Sequence, residues 1–438
     1  MTDTPPARGS IPARHVAAVV VGNALEFYDF LTYAFFAVYI GRTFFPSNSP
    51  TASLLASLGT FAVGFVTRPI GGIVIGRMGD RLGRKPAMIV SFSLMGIAIT
   101  GLALTPPRSM IGVAAPALVI VFRMVQGFAL GGEVGPTTAF LLEAAPPERR
   151  GFYAAFQPWT QELSVLASGL VGFGLANTLS EQQLQDYGWR IAFLVGAAIV
   201  PFGLMMRRNL PETFAATERS KRERVPLGPL VRVGALGVML LANATIGVYI
   251  CNYMTTYAIA TLHMHANVGF AATVVVGLCG VMFALVSGAL SDRIGRKPMM
   301  IVPSALLLVS VLPAFYVISH YRTTATLLGA TAVLAALLEV SACPAIIWLT
   351  ESLPAAIRSG GVAIVYAFAI AIFGGSTQPM ITWLIKVTGN PLAPAWYWII
   401  ALIVGLAAMI AARESAPRKL AEAALVEALP VQLPDEAV

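Results

Sequence analysis

Charge is what this chain has least of. Asp, Glu, Lys and Arg together make up 11% of its 438 residues, where a soluble domain carries about 25%, so a water-soluble globular fold is excluded at the outset. Cysteine is almost as scarce. Cys251, Cys279 and Cys343 are the only three; all fall inside apolar stretches at spacings that match no metal or redox motif, so neither a disulfide framework nor a metal site is implied. There is no HExxH, GxSxG or CxxC, and no GxxxxGK[ST]. A membrane-embedded enzyme would need a nucleophile with its base or a ligand cluster, and a nucleotide-driven pump would need a phosphate loop. The chain is therefore expected to be no enzyme, to hold no cofactor and to draw its energy from an ion gradient.

What the chain does have is apolar length. Hydrophobic residues make up 57% of it and the mean hydropathy is +0.76. A bilayer-spanning helix needs roughly 20 mostly apolar residues. Twelve such stretches lie near 16–45, 52–79, 87–106, 112–145, 151–178, 190–207, 230–262, 267–290, 299–318, 323–352, 359–387 and 395–413. The polar opening MTDTPPARGSIPARH leads into a long apolar run without a small-residue cleavage site, so the first stretch is expected to be a retained span and not a removed signal. Of 29 Lys and Arg, 22 fall in the termini and in the loops after even-numbered stretches, five at the opposite ends and two inside helices. The positive-inside rule then puts both termini in the cytoplasm. The same bias accounts for the net charge of +8, and no nucleic-acid partner is implied.

A motif is written twice. GRMGDRLGRKP at 76–86 returns as GALSDRIGRKP at 288–298, after the second and the eighth stretch. EAAPPERRG at 143–151 is echoed by ESLPAAIRSG at 351–360, after the fourth and the tenth. The expected organisation is a tail (1–15), a six-helix bundle (16–207), a charged linker (208–229), a second six-helix bundle (230–413) and a tail (414–438). Internal repeats of this kind mark secondary transporters, which bind substrate between the halves near the midplane. Gly76 and Gly288 permit close helix contact. Asp80 with Arg84, Asp292 with Arg296, and the glutamates Glu143 and Glu351 sit at the membrane surface, where carboxylates clamp neighbouring helix ends. They are expected to form a gating latch; the alternative is a solvated charged turn.

The stretch GRMGDRLGRK resembles the loop signature of the major facilitator superfamily, and RMVQGFALGGE at 123–133 is similar to that superfamily's fourth-helix motif. GNALEFYDF (22–30), TRPIGG (67–72) and ERRGF (148–152) resemble its metabolite:proton symporter family. YIGRTFFP (39–46) and FGGSTQPMITWLIKVTGN (373–390) look most like the citrate and tricarballylate carriers. The resemblance spans residues 16–413 and implies an all-α fold of twelve transmembrane helices in two pseudo-symmetric bundles, working as a monomer in the bacterial inner membrane. It also implies that helices one, four, seven and ten line the cavity, with three, six, nine and twelve as outer scaffold. The 25 residues after the last stretch are too few for the coiled-coil tail of some osmosensing relatives or for a signalling domain.

Ionisable residues inside a membrane default to function. They are Glu26, Asp29, Arg68, Arg123, Glu133, Glu162 and Glu339. Asp29 lies about 13 residues, roughly 20 Å, into the first helix, and Arg123 about 11 residues, roughly 17 Å, into the fourth. Both are near mid-membrane, within range to meet. Low dielectric favours a protonated carboxyl and a nearby Arg favours the ionised one, so a pair that opens and closes loads and releases a proton. Asp29, Glu26, Glu133 and Arg123 are the proton-coupling candidates; a permanent structural ion pair is the alternative. Arg68 suits a carboxylate substrate through its forked donors, or else a buried packing partner. Gln126, Gln157, Gln161, Asn23, Tyr249, Asn252, Tyr253, Tyr366 and Gln378 complete the substrate-binding candidates, because amides and phenols suit hydroxyls and carboxylates.

The expected substrate is thus a small organic anion, citrate or a related di- or tricarboxylate, carried with protons. The rival is another metabolite, such as 2-oxoglutarate or an osmoprotectant like betaine or proline, whose quaternary amine would call for an aromatic cage built from Tyr28, Trp159 and Tyr366.

Overall fold

The computed structural model describes residues 24, 27–82, 84–131, 141–142, 145–208, 227–354 and 357–428. Asn23, Glu26, Glu133 and Glu143 lie outside the described residues, as do the side chains of Asp80 and Arg84. Lipid offers no partner to backbone N–H and C=O groups, so a spanning segment must close its hydrogen bonds internally, and all twelve apolar stretches are helical where described.

In the first half, α1 covers 27–44, with a loosened turn at Phe36. Helix α2 is Pro50–Val66, continued past Thr67 by Arg68–Leu82. Then come α3 (Arg84–Leu104), α4 (Ala114–Leu130), α5 (Arg150–Ala154 and Phe156–Thr178) and α6 (Trp189–Arg208). In the second half, α7 runs from Leu227–Cys251 through Met254–Thr256 to Tyr257–Thr261. It is followed by α8 (Ala266–Ile294), α9 (Arg296–Tyr321) and α10 (Thr324–Ser352). Helix α11 is built from Arg358–Ala369, Ile370–Gly374 and Gly375–Thr388, and α12 is Ala393–Ala411. Among the described residues, seven helices are long and apolar enough to cross a membrane by length and composition. Several helices run a few residues past the expected stretches: α7 is described from Leu227, α8 reaches Ile294 and α9 spans Arg296–Tyr321, and the tail carries a further helix, α13 (Pro417–Ala428).

The halves meet along two seams. Helix α5 packs on α8, and α2 packs on α11, chiefly through 50–66 against 375–388. Helices α3, α6, α9 and α12 flank these, with exposed apolar faces that include Ile97, Leu194, Val309 and Ile400, as lipid-facing scaffold requires. Helices α2 and α4 touch backbone to backbone. A Cβ on Gly127 would overlap the Gly64 carbonyl, one on Gly131 that of Arg68, and one on Gly71 that of Phe128. The Thr67 hydroxyl donates to the Met124 carbonyl across the same crossing at 2.8 Å. Gly64, Gly71 and Gly72 on one side and Gly127 and Gly131 on the other are therefore the two sides of one close contact, and that contact sets Arg68 beside Arg123.

Candidate functional site

Arg68 and Arg123 are both buried, Arg123 completely. Arg123 Nη1 donates to Gln126 Oε1 at 2.7 Å and to the Phe30 carbonyl at 3.4 Å. Its guanidinium lies 4.2, 4.5 and 4.9 Å from the ring centroids of Phe30, Tyr33 and Phe61. Arg68 lies 4.2 Å from the Phe30 ring and 4.5 Å from Phe65. Cation–π contact compensates a buried cation in part, by about 2 kcal/mol or more when desolvated, but it leaves N–H groups unused. Nε and Nη2 of both arginines have no hydrogen-bond partner, and no carboxylate pairs with either among the described residues.

A cavity, part of it open to solvent, lies alongside. Its lining residues come from the middle of the bundle and from the end that carries the inter-half linker. Gln157, Gln161, Tyr249, Asn252 and Tyr366 all line it; Gln161 donates to the Tyr366 hydroxyl at 3.4 Å, and both side-chain polar atoms of Asn252 are unpartnered. The Tyr249 ring packs on Phe61 and Phe65 at 6.1 and 5.5 Å. An aromatic wall thus separates the arginines from the cavity. At the far end the bundle is packed shut, with Phe36 on Phe270 at 4.8 Å and Asn267 donating to Asn177 at 3.3 Å.

Other expected residues are elsewhere. Asp29 is buried but does not meet Arg123. It turns toward α6, where a Cβ on Gly196 would overlap its Oδ1, and that oxygen has no partner. Phe30, one residue on, takes the position against Arg123 instead. The α7 stripe is divided by the turn at Asn252–Tyr253. Tyr253 shares a 2.8 Å hydrogen bond with Thr382, away from the cavity, and Gln378 donates to the Tyr249 carbonyl at 3.3 Å. The aromatic cage is not assembled. The Tyr28 hydroxyl donates to the Ala192 carbonyl and the Trp159 indole to the Val281 carbonyl, and of the three only Tyr366 lines the cavity.

The second copy of the repeated motif is a complete ion network. Arg296, fully buried, donates from Nη2 to Asp292 at 2.7 Å and to Glu351 at 2.9 Å, from Nε to Glu351 at 3.1 Å, and from Nη1 to Ser291 at 2.6 Å. Asp292 also accepts from the N–H groups of Gly151 and Phe152 at 2.8 and 3.0 Å. These are the first amides of α5, where partial positive charge favours an anion. ERRGF thereby joins the first half to the second-half motif. Gly295, at φ +112°, turns the chain between Asp292 and Arg296 through a conformation that glycine tolerates best.

Two residues were seen in the sequence as intramembrane acids but given no role. Glu162 on α5 and Glu339 on α10 both line the cavity and a smaller one adjoining it. Depth along each helix was legible; the contact between helices five and ten was not.

The family profile described as sugar (and other) transporter matches residues 15–225 and 228–425. A citrate-proton symporter of Salmonella typhi is 34% identical over 411 residues, covering 90% of this chain and 92% of that one. An alpha-ketoglutarate permease of Escherichia coli K12 is 35% identical over 390 residues, covering 87% and 89%. Among solved structures, a D-xylose-proton symporter superposes with a TM-score of 0.74 at 21% identity, over 91% of this chain and 96% of that one.

Proposed function

This chain belongs to the sugar (and other) transporter family, and from that premise we propose that it imports citrate or a related di- or tricarboxylate together with protons, by alternating access of its two halves. The observation that carries this substrate class is the pair of buried arginines whose Nε and Nη2 groups have no partner. A buried cation without its counter-ion is costly, and a carboxylate supplies both the charge and the planar acceptors that a guanidinium fork matches. The relatives named for citrate and alpha-ketoglutarate handle anions of this class. The unassembled cage counts against betaine.

Binding begins at the amides and phenols of the cavity, with Arg68 and Arg123 reached as the Phe30 and Tyr249 rings shift. Asp29 takes up a proton; it is buried, with one oxygen free, and its exchange path runs along α6 rather than past Arg123. Glu26 and Glu133 are retained as further proton-coupling candidates. The linker end faces the cytoplasm, so both termini do too, and this conformation presents its cavity inward. The working unit is a monomer in the inner membrane.

Uptake into proteoliposomes tests the proposal, with labelled citrate, tricarballylate, 2-oxoglutarate, proline and betaine under an inward proton gradient. The acids should accumulate, and a protonophore should abolish the accumulation. Uptake of proline or betaine but not the acids, or uptake that needs Na⁺ and survives collapse of the proton gradient, overturns it.

A further inference from the structure

Glu162 belongs to the first half and Glu339 to the second, yet they line the same two cavities. Both are 5% exposed, and Glu162 Oε2 has no hydrogen-bond partner. Space for the Glu162 side chain exists because α8 carries glycine opposite it; a Cβ on Gly280 would overlap its Cγ and Oε2. Gly280 is the repeat counterpart of Arg68, so the same place in the two halves holds a cation in one and makes room for a carboxylate in the other. The groups facing the pair are Cys251 and Tyr249 from α7, Cys279 from α8, Cys343 from α10 and Tyr366 from α11, with Gln157, Gln161 and Asn252. Helix α1 contributes Phe27 and Leu31. No Lys, Arg or His lines either cavity among the described residues.

We propose that Glu162 and Glu339 together form a second proton site, separate from Asp29, which must be loaded before an anionic substrate can occupy the cavity. This rests on the carboxylate-transport reading above. Two buried carboxylates that line the same cavities repel when both are ionised, and the pair titrates as a unit. An entering di- or tricarboxylate adds to that repulsion. A proton shared between the two removes a negative charge and turns one carboxyl into a donor for the incoming anion. Because one member rides on each half, rocking of the halves changes their separation. The proton is held when they are close and shed to the cytoplasm when they part, a coupling of occupancy to conformation that acts in both directions.

The test is binding of labelled citrate to the full-length protein in detergent from pH 5.5 to 8, for the native protein, Glu162→Gln, Glu339→Gln and the double variant. Each linked proton contributes up to about tenfold in affinity per pH unit. The slope of log Kd against pH should be shallower by about one in each variant than in the native protein, and Asp29→Asn should keep the difference. Infrared difference spectra recorded against pH without substrate provide a second readout, in which a protonated-carboxyl band present in the native protein should be lost in the double variant. An unchanged slope with an unchanged band overturns the proposal. So does loss of citrate binding at every pH in a folded variant, which makes the pair a direct substrate ligand, or Na⁺-dependent binding lost with the pair, which makes it a metal-cation site. Native protein that binds neither citrate nor 2-oxoglutarate at any pH sinks the transport reading instead, and the infrared band still decides whether the pair holds a proton.

Discussion

Arg68 and Arg123 place their guanidinium carbons at the same distance, 4.2 Å, from the centroid of a single ring, Phe30. Like charges in a buried setting are not expected to gather unless something compensates them. Here the ring does so in part, and on the proposed reading a bound carboxylate completes the compensation. The arrangement comes directly from the α2–α4 glycine contact and from the phase of α1.

Loss of either arginine should therefore weaken carboxylate binding more than it harms the fold. A charge-assisted hydrogen bond is worth roughly 1.5–3 kcal/mol, so Arg123→Gln and Arg68→Gln should each raise the Kd for citrate by about ten- to a hundredfold. Exchange of internal for external substrate should fall with it. Arg123→Lys should restore little, because a point charge lacks the planar fork. Native affinity in both Gln variants would move recognition to the amides and phenols of the cavity.

Asp29 separates coupling from binding. Asp29→Asn mimics the protonated carboxyl in shape, and the side chain is out of contact with Arg123, so citrate binding and exchange should stay within a few-fold of native. Accumulation driven by the proton gradient should stop. Counterflow and gradient-driven uptake in the same proteoliposomes decide the matter. Normal accumulation removes Asp29 from coupling, and equal loss of both activities makes α1 part of the substrate site.

The Asp292–Arg296–Glu351 network, which we propose acts as a gating latch, is open to the same kind of separation. Asp292→Asn weakens its hold on Arg296 and on the α5 amides, at a cost of roughly 1–3 kcal/mol; Glu351 still pairs with Arg296, so the larger penalty of an isolated buried charge does not apply. Turnover should slow by tenfold or more while the Kd for citrate, measured in detergent, stays within a few-fold. A collapse of affinity in folded protein would place this network inside the substrate path.

Much of this was readable from the residues alone. Apolar length and the doubled motif specify twelve helices in two halves, and the same doubling pointed to Asp292, Arg296 and Glu351, which the structure joins. Rotation about a helix axis was harder to read. A rise of 1.5 Å per residue places Asp29 and Arg123 at similar depth, but only packing against Gly196 shows that Asp29 faces α6. The α7 stripe failed for a related reason: a turn at Asn252–Tyr253 sends Tyr249 and Asn252 to the cavity and Tyr253 to Thr382. The pairing of Glu162 with Glu339 depends on helices far apart in the chain, and no local pattern records it.

Glu414 follows the last span, where no sequence pattern marks it, yet it holds the start of α9 beside the Arg296 network. Its carboxylate accepts from the backbone N–H groups of Arg296 at 2.8 Å, Lys297 at 3.1 Å, Ser415 at 3.0 Å and Ala416 at 2.9 Å. Ser415 in turn donates to Glu351 at 2.7 Å. Burial works against its ionisation, but the amides of Ala416, Arg296, Lys297 and Ser415 outweigh burial and hold the carboxyl below its ordinary range. A carboxyl whose folded value lies below its unfolded one adds stability that is present above the unfolded value, about 4.3 for Glu, and is lost as pH falls through the folded value. Glu414→Gln should thus melt at a lower temperature than the native protein at neutral pH. The gap should shrink once the pH drops below about 4.3 and close further down. Thermal unfolding in detergent across pH 7 to 3 measures it, and a gap that stays constant over that range would show that Glu414 supports the latch by packing and not by charge.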